Sequence, residues 1–488
     1  MSWFSIDRSA RSAAIHSQIH EDLLGLIANG ALPPGTRLPS SRALAETLGV
    51  SRNAVVDAYD TLTARGVLEA RPKSGTYVKD SAREIVSDGR DNSGYYHQPE
   101  LSAPARLLLS TGTRRPIWPD VPAAKYNFGP LIPPMDELSI ERFRSCVNSV
   151  LVNDAEQALG YDESEGYAPF RRWVASYMNA RGVECSEENI LIVAGYQQGL
   201  ALVARALLDP ADTALVEDPT FPDTPNALRL YGATVQGIPL GETGPDVGVL
   251  TEVVSSRRPK LICVTPLWQN PTGIVMSRGI RKALLALAEQ YGFIIVEDGF
   301  TDEFCYSGRL IPPLSAEDRC CRVVYVGSMS KLLFGGLRLG WVVASKALVR
   351  VLTLIKQASM LCHSPLLQAA CHQFCELGYL ENHIVRVRKI LSVRRDAMVR
   401  AMEEYFPDGV TWRAAEGGLS TWVTLPRGVD SDQVAAECAK GGAIVAPGRP
   451  FSLYGRATNN LRMSYSLCHE DTIREGVKVV GDVLKRMT

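Results

Sequence analysis

The segment Val323-Val-Tyr-Val-Gly-Ser-Met-Ser-Lys331 leads from a short apolar run directly to two serines and a lysine. A continuous apolar run of this length is typical of a strand buried on both faces of a parallel sheet. Ligands bind at the carboxyl ends of such strands, which is where Lys331 falls. For an isolated Ser-x-Ser-Lys an ordinary loop is the favoured interpretation, so the neighbouring strands must decide.

Five other short apolar runs follow the same plan and are separated by longer amphipathic stretches. The runs are Ile190-Leu-Ile-Val, Ala214-Leu-Val, Leu261-Ile-Cys-Val, Phe293-Ile-Ile-Val and Trp341-Val-Val-Ala. The stretches between them are long enough for helices that cross over between parallel strands. The sequence therefore predicts an α/β domain with a mainly parallel sheet.

Groups suited to binding a phosphate lie at two of the predicted strand ends. Gly195 precedes a helical pattern, and the free N–H groups at a helix N-terminus attract anions. Ser328 and Ser330 come just before Lys331, and Arg338 follows seven residues after it. A lysine in this setting can form a Schiff base while the hydroxyls and the guanidinium hold a phosphate.

The remaining strand ends carry groups suited to a flat, charged ring. Asp298 ends the Phe293 run, and a buried carboxylate needs a cationic partner such as a pyridinium nitrogen. Asn270, in Asn270-Pro-Thr-Gly, offers an amide donor to a phenolate oxygen. Phe221 offers a face for stacking, although an ordinary core position also explains it well.

The first eighty residues show a different pattern. Apolar residues recur at helical spacing from Ile15 to Ile27, after Ser40 and after Ser51, and Gly49 separates the last two patterns. Helix, short glycine-containing turn and helix is the helix-turn-helix arrangement. Two short strands around a Lys73-Ser-Gly turn make the predicted module winged.

The local charge of this module is positive although the whole chain is nearly neutral. The 488 residues contain 52 Lys and Arg against 53 Asp and Glu, whereas residues 37–79 contain seven basic and four acidic side chains. In this motif the start of the second helix of the pair meets base edges, and the wing and neighbouring basic residues meet the DNA backbone. The predicted DNA contacts are Arg42, Ser51, Arg52, Asn53, Lys73 and Gly75. From the helix pattern alone, a protein-interaction module with solvated charges is about as plausible.

The identities of the residues, in addition to their helical spacing, favour DNA binding. Leu38-Pro-Ser-Ser-Arg-Ala-Leu-Ala-Glu-Thr-Leu-Gly-Val-Ser-Arg closely resembles the winged helix of the GntR family, and Gly75-Thr-Tyr-Val resembles its wing. The resemblance covers residues 12 to 79. We expect a DNA-binding domain at 1–79, a flexible linker rich in Ser, Gly, Pro and charge at 80–124, and an effector domain at 125–488.

The effector domain resembles the fold-type I, pyridoxal-phosphate-dependent aminotransferases, with its motifs in the expected chain order. The resemblance implies Lys331 as the aldimine lysine, Asp298 on the pyridine nitrogen and Asn270 on the ring hydroxyl. It implies that Phe221 stacks on the ring and that Arg462 receives a substrate carboxylate. The phosphate contacts that it implies are Gly195, Tyr196, Gln197, Ser328, Ser330 and Arg338, with Tyr161 reaching the phosphate of the other subunit in a dimer.

One position departs from the family pattern. Relatives usually carry a tyrosine two residues after the aspartate, and this chain has Phe300. The hydroxyl that would donate to the cofactor's ring oxygen is absent, a loss of about 1 kcal/mol. We therefore expect altered cofactor binding and inefficient transamination.

A GntR-type winged helix joined to an aminotransferase-like domain resembles the MocR subfamily of bacterial transcriptional regulators. The resemblance implies a homodimer, head to tail, that binds a double-stranded DNA operator and senses an amino compound or a B6 vitamer through an aldimine at Lys331. An active pyridoxal-phosphate-dependent aminotransferase with an accessory DNA-binding domain is the alternative from another class. A regulator that senses only free pyridoxal phosphate is a third.

Several classes are disfavoured by composition. The eleven cysteines form no C-x-x-C pair, so neither a zinc site nor a disulfide framework is expected. The chain has no secretory h-region at its start and no apolar run of about 18 residues, so we expect a cytoplasmic protein without a membrane span.

Overall fold

The computed structural model describes residues 15–28, 32–64, 66–71, 74–79, 101–103, 105–106, 124–307, 309–413 and 415–487. Lys73 and most of the predicted linker at 80–124 lie outside these residues. Residues of the chain group by their spatial contacts into two compact units, Met1–Glu100 and Leu101–Thr488, and each unit is described by itself. No helix of the described residues is both long and apolar enough to cross a membrane.

The described residues of the first unit form a small domain of three helices and a β-hairpin. Its elements are α1 (Ile15–Ala28), α2 (Ser41–Leu48), α3 (Arg52–Ala64), β1 (Leu68–Arg71) and β2 (Gly75–Val78). Local sequence sets the helix ends: the Ser40 hydroxyl accepts from the N–H of Ala43, and Gly49 ends α2 in the left-handed region at φ 62°. The predicted helix-turn-helix and wing are both present.

A short segment before α2 widens the hairpin. The N–H of Leu38 donates to the carbonyl of Thr76 at 2.9 Å, and the N–H of Val78 donates to that of Thr36 at 2.9 Å. The Tyr59 hydroxyl on α3 donates to the carbonyl of Pro39. These bonds tie the wing to the helices, so the second and third helices and the hairpin present a fixed surface.

The second unit is a two-lobed α/β structure. Its helices are α4 (Glu137–Asn153), α5 (Ala155–Leu159), α6 (Ala168–Asn179), α7 (Tyr196–Leu207), α8 (Asp223–Leu230), α9 (Val247–Arg257), α10 (Arg278–Tyr291), α11 (Met329–Leu332), α12 (Lys346–Ser359), α13 (Pro365–Glu376), α14 (Tyr379–Tyr405), α15 (Ser431–Lys440) and α16 (Glu470–Met487). Its strands are β3 (Tyr126–Asn127), β4 (Ile190–Val193), β5 (Thr213–Asp218), β6 (Thr234–Gly241), β7 (Gly244–Pro245), β8 (Leu261–Val264), β9 (Ile294–Gly299), β10 (Val323–Ser328), β11 (Gly340–Val343), β12 (Thr411–Trp412), β13 (Ser420–Thr424), β14 (Ala443–Ile444), β15 (Ala446–Pro447) and β16 (Asn460–Ser464).

The large lobe is built on an eight-stranded sheet in the order β4-β11-β10-β9-β8-β5-β6-β7. Neighbours from β10 through β6 pair in parallel, and β11 runs antiparallel to both β10 and β4. All six predicted strands are present, with ends within three residues of the apolar runs. Since β4 runs in the same direction as β10, the carboxyl ends of β4, β5, β8, β9 and β10 meet at one edge of the sheet.

The small lobe contains the sheet β12-β13-β16-β15 and the short pair β14-β3, packed against α14, α15 and α16. The start of the described second unit belongs to this lobe, because β3 pairs with β14 and the N–H of Ser464 donates to the carbonyl of Phe128. The segment that follows Phe128 then runs to the carboxyl edge of the large sheet, where it lines a cavity.

Candidate functional site

A cavity of about 420 Å³ lies at the carboxyl ends of the parallel strands. Eleven of the twelve residues predicted to hold the cofactor or its ligand line it, although they are spread over 268 positions of sequence. These residues are Gly195, Tyr196, Gln197, Phe221, Asn270, Asp298, Ser328, Ser330, Lys331, Arg338 and Arg462. Ligand sites in proteins commonly have volumes of about 300 to 1,000 Å³, so the cavity has the size of a small-molecule site.

One end of the cavity is a cradle for an anion. The Arg338 guanidinium donates to the carbonyl of Ala194 at 2.8 Å and lies 3.5 Å from the Ser330 hydroxyl, while the Ser328 hydroxyl accepts from the N–H of Ser330. The amide nitrogen of Gln197 is buried and has no hydrogen-bond partner among the described residues. Hydroxyls, a guanidinium and an unused amide donor at a helix N-terminus suit a phosphate.

Gly195 leaves the space in this cradle open. Its φ is 92°, and a Cβ at this position would lie 3.4 Å from the Ser328 hydroxyl and 3.8 Å from the Arg338 guanidinium. We expect Gly195→Ala to weaken phosphate binding about tenfold, or about 1.4 kcal/mol, because a methyl group would enter the cradle. Equilibrium binding of pyridoxal phosphate measures the effect.

A matched control separates the cradle from backbone strain. Gly378 also has positive φ, 69°, but a Cβ there would meet nothing within 4 Å. Gly378→Ala should therefore lower stability by about 1–2 kcal/mol and leave cofactor affinity unchanged. Equal losses of cofactor affinity in the two variants would contradict the role given to Gly195.

Asp298 occupies the floor of the cavity at the end of β9. Its side chain is buried, and Oδ1 has no hydrogen-bond partner among the described residues. Burial raises the pKa of this carboxyl, and the nearby carboxyls of Asp302 and Glu217 raise it further. A cationic partner at Oδ1 is therefore needed to keep Asp298 charged, and a protonated pyridine nitrogen is such a partner.

The acids around Asp298 share its environment. Burial raises the pKa of Glu297 to about 7, although the N–H groups of Leu314 and Ser315 donate to its carboxylate. Burial also raises the pKa of Asp302 to about 6, against the effect of a hydrogen bond from the Tyr325 hydroxyl. Three buried carboxyls with raised pKa values, those of Glu297, Asp298 and Asp302, therefore lie in or directly after the end of β9.

Glu217 on β5 has the clearest consequence for stability. Burial raises its pKa from 4.5 to about 8, while the N–H of Thr265 and the amide of Gln269 donate to its carboxylate. Between these values the folded state holds a proton that the unfolded state has lost, so stability falls as the pH rises from about 4.5 to about 8. One such group changes the free energy of unfolding by at most about 1.4 kcal/mol per pH unit.

Glu217→Gln should therefore flatten the pH dependence of stability. We expect the thermal midpoint of the second unit to fall less between pH 6 and pH 8 in Glu217→Gln than in the unchanged protein. Glu252→Gln, an exposed change on α9, is the control and should keep the original slope. Parallel curves for the unchanged protein and Glu217→Gln would show that Glu217 does not hold the extra proton.

Lys331 lies on α11, directly after β10, and extends across the cavity. Its Nζ donates to the carbonyl of Leu131, in the segment that follows β3. Arg462 on β16 reaches the same segment from the other side, donating through Nη2 to the carbonyl of Gly129 at 2.7 Å. Both basic groups at this end therefore bind the backbone of residues 129–131.

Arg462 also fixes the orientation of Asn270. Nη1 of Arg462 donates to Oδ1 of Asn270 at 2.8 Å, which leaves the Asn270 amide nitrogen available as a donor. Nε of Arg462 is buried without a hydrogen-bond partner among the described residues, and the guanidinium stacks over the ring of Phe451 at 4.8 Å. Burial lowers the pKa of Arg462 to about 9, so an anionic ligand would stabilise its charged form.

These observations fit pyridoxal phosphate. The cradle suits its phosphate, the unpartnered Oδ1 of Asp298 suits its ring nitrogen, and the free amide of Asn270 suits its ring oxygen. Phe300 also lines the cavity, but it has no hydroxyl to donate to this oxygen. Of the two lining residues Asn270 and Phe300, only Asn270 can therefore serve as that donor.

Tyr161 is the predicted cofactor residue that does not line this cavity. It lies between α5 and α6, and its side chain is 86% exposed. The cavity also contains residues that the sequence did not indicate, namely Leu131, Ile132 and Phe451. No local motif marks them, because they reach the cavity through long-range contacts with other parts of the chain.

The predicted DNA-contacting residues of the first unit lie on its surface. Arg42 on α2 and Ser51, Arg52 and Asn53 at the start of α3 are exposed, as is Gly75 in the wing. The exposed Arg37 lies beside the wing, since its Nε is 3.0 Å from where a Cβ on Gly75 would be.

Family models match both units. Residues 15–78 match bacterial regulatory proteins of the gntR family, and residues 137–480 match aminotransferase class I and II. The probable rhizopine catabolism regulatory protein MocR of Rhizobium meliloti is 30% identical over 97% of this chain and 94% of its own. Aromatic-amino-acid aminotransferase 1 of Thermococcus litoralis is 35% identical over 72% of this chain and 86% of its own.

Among solved structures, the α-aminoadipate aminotransferase LysN of Thermus thermophilus, complexed with a phosphopyridoxyl-leucine, superposes with a TM-score of 0.71 at 30% identity. The match covers 79% of this chain and 95% of LysN. The regulator matches nearly the whole chain, and the enzymes match most of the second unit. The chain therefore belongs to the MocR subfamily of GntR-type transcriptional regulators, in which a DNA-binding winged helix is joined to a pyridoxal-phosphate-dependent aminotransferase domain.

Proposed function

We propose that this regulator senses a primary amine that also carries a carboxylate, and that the ligand acts on the segment 129–131. The observation that carries the proposal is that Lys331 and Arg462, at the two sides of the ligand end, donate to carbonyls of this one segment. The segment begins five residues after the proposed linker 80–124, which joins the effector domain to the winged helix along the chain. A change in these contacts would therefore act on residues next to that linker.

Pyridoxal phosphate supplies an aldehyde that binds a primary amine covalently and reversibly. With the cofactor bound, Lys331 would be the residue that holds its aldehyde, and its nitrogen would then no longer be an ammonium available to the carbonyl of Leu131. An amine ligand in the same cavity would free this ammonium for the Leu131 carbonyl, while the ligand carboxylate would compete with the Gly129 carbonyl for Arg462. The ligand thus binds the two arrangements of residues 129–131 unequally, which is the requirement for a ligand-driven change.

We further propose a head-to-tail homodimer. The exposed position of Tyr161 outside its own cavity supports a role in the phosphate site of a second subunit. Exposed apolar side chains on neighbouring helices, Val152 at 82% and Leu159 at 69%, support burial of this surface against another chain. Two winged helices in such a dimer would read two half-sites of an operator.

The proposed domain bounds are 1–79 for the DNA-binding domain, 80–124 for the linker and 125–488 for the effector domain.

The test follows cofactor and DNA in the same titration. Full-length protein loaded with pyridoxal phosphate is titrated with amino acids and simple amines while its visible absorbance and its affinity for an operator duplex are recorded. We expect at least one amine to change both signals over the same concentration range. Operator binding that responds to pyridoxal phosphate alone, and to no amine, would instead support a sensor of the free vitamer.

A catalytic function is the second candidate, because the cavity contains the lysine, aspartate, asparagine and arginine that the aminotransferase resemblance implies. Phe300 argues against efficient turnover, since it removes one donor to the cofactor. Single-turnover and multiple-turnover assays with amino and keto acids distinguish the candidates. Sustained product formation at about 1 per second or faster would favour the enzyme.

A further inference from the structure

The ligand end of the cavity is largely apolar. Beyond the residues assigned to the cofactor, its walls include the side chains of Leu131, Ile132, Phe300 and Phe451. The charged side chains in this part of the described lining are Arg462 and Asp223. A ligand that fills this end therefore meets hydrocarbon over most of its surface.

Arg462 is built to receive one carboxylate. It is 5% exposed, it stacks over Phe451, and its Nε is buried without a partner among the described residues. Two of its nitrogens already hold Asn270 and the Gly129 carbonyl, so its position is fixed before a ligand arrives. A preorganised guanidinium on an aromatic face binds a planar carboxylate with little loss of side-chain entropy.

A second anionic group on the ligand would lack such a partner. Arg338 belongs to the phosphate cradle, and Asp223, the other charged side chain named for this end, is acidic and already has an interaction partner in the protein. The remaining walls named for this end are aliphatic or aromatic. Burying an unpaired carboxylate against such walls is strongly unfavourable. Burying an apolar side chain there is favourable in proportion to the area removed from water.

We propose that the ligand is an amino acid with one carboxylate and an apolar side chain, which packs against Leu131, Ile132 and Phe451 while Arg462 holds the carboxylate. The proposal rests on the proposed function and adds the chemical class of the effector. It separates amino acids such as leucine from glutamate, with its second carboxylate, and from lysine, with its second ammonium.

The experiment compares separate titrations with four amino compounds of similar size. Full-length protein loaded with pyridoxal phosphate is titrated with leucine, glutamate, lysine and taurine, and the visible absorbance and operator affinity are followed. Leucine is expected to act at concentrations at least about tenfold lower than those of the other three. A lower half-saturating concentration for glutamate, lysine or taurine would overturn the assignment.

A charge placed in the wall tests the geometry directly. Ile132 is 40% exposed and lines the cavity, so Ile132→Lys should be tolerated by the fold. It should weaken leucine about tenfold and strengthen glutamate. Met135→Lys, at a residue that is 62% exposed and not part of the lining, adds the same charge three residues away and should change neither. Identical ligand preferences in the two variants would also overturn the assignment.

Failure of the inference and failure of the proposed function give different results. If glutamate, lysine or taurine shifts both signals best, the protein still senses an amine and the proposed ligand class is wrong. If the cofactor band is present but no amine changes it, the proposed sensing function itself is wrong.

Discussion

Lys331→Ala is expected to abolish the visible absorbance of the bound cofactor and to lower its affinity about 100-fold or more. The covalent link is lost, while the phosphate cradle and Asp298 still offer non-covalent contacts; a 100-fold change corresponds to about 2.8 kcal/mol. The substitution also removes the donor to the Leu131 carbonyl. We therefore expect operator binding to persist but to lose its response to amines.

The readouts of this experiment separate the two units. The first unit has its own hydrophobic core, so a variant deep in the second unit should leave basal DNA binding intact. Lys346→Ala removes an exposed lysine that pairs with Glu188 and is the charge-matched control, with cofactor and response expected to be unchanged. A Lys331→Ala protein that still answers an amine at the original concentrations would show that the lysine has only a structural role.

The sequence predicted those parts of the site that follow a strand. Lys331, Asp298 and Gly195 each come within a few residues of a continuous apolar run, and the convergence of parallel strands brings such positions together. Strand β6 escaped prediction because it is only partly buried and contains Gly237 and Pro239, so it lacks a continuous apolar run. Its place near the sheet edge tolerates that composition.

The ligand end could not be predicted from local patterns. Phe451 is held at the cavity because its carbonyl accepts from the N–H of Thr220, more than two hundred residues earlier. Ile132 is positioned through a bond from its N–H to the hydroxyl of Ser466. Long-range pairings of this kind depend on how the small lobe folds against the large one, and no short stretch of sequence encodes them by itself.

Arg52→Ala is expected to weaken binding to the preferred DNA sequence by about 1–3 kcal/mol, or about five- to 150-fold. Arg52 is the first residue of α3 and is exposed, so its side chain is available to a base edge in the major groove and its loss should cost the fold little. The loss should be much smaller on a duplex of unrelated sequence, because base contacts carry the sequence discrimination. Asn53→Ala should behave in the same way.

Arg42→Ala is the comparison that distinguishes a contact to the DNA backbone from a contact to a base. Arg42 on α2 is also exposed, and as a phosphate contact its removal should weaken binding to both duplexes alike and reduce the salt slope by about one. Lys440→Ala, in the second unit, removes one positive charge and should change neither affinity. Affinities for a duplex selected by the unchanged protein and for a scrambled one, each at several salt concentrations, measure all three variants. If Arg52→Ala weakened both duplexes equally, α3 would hold the DNA backbone and sequence would have to be read elsewhere.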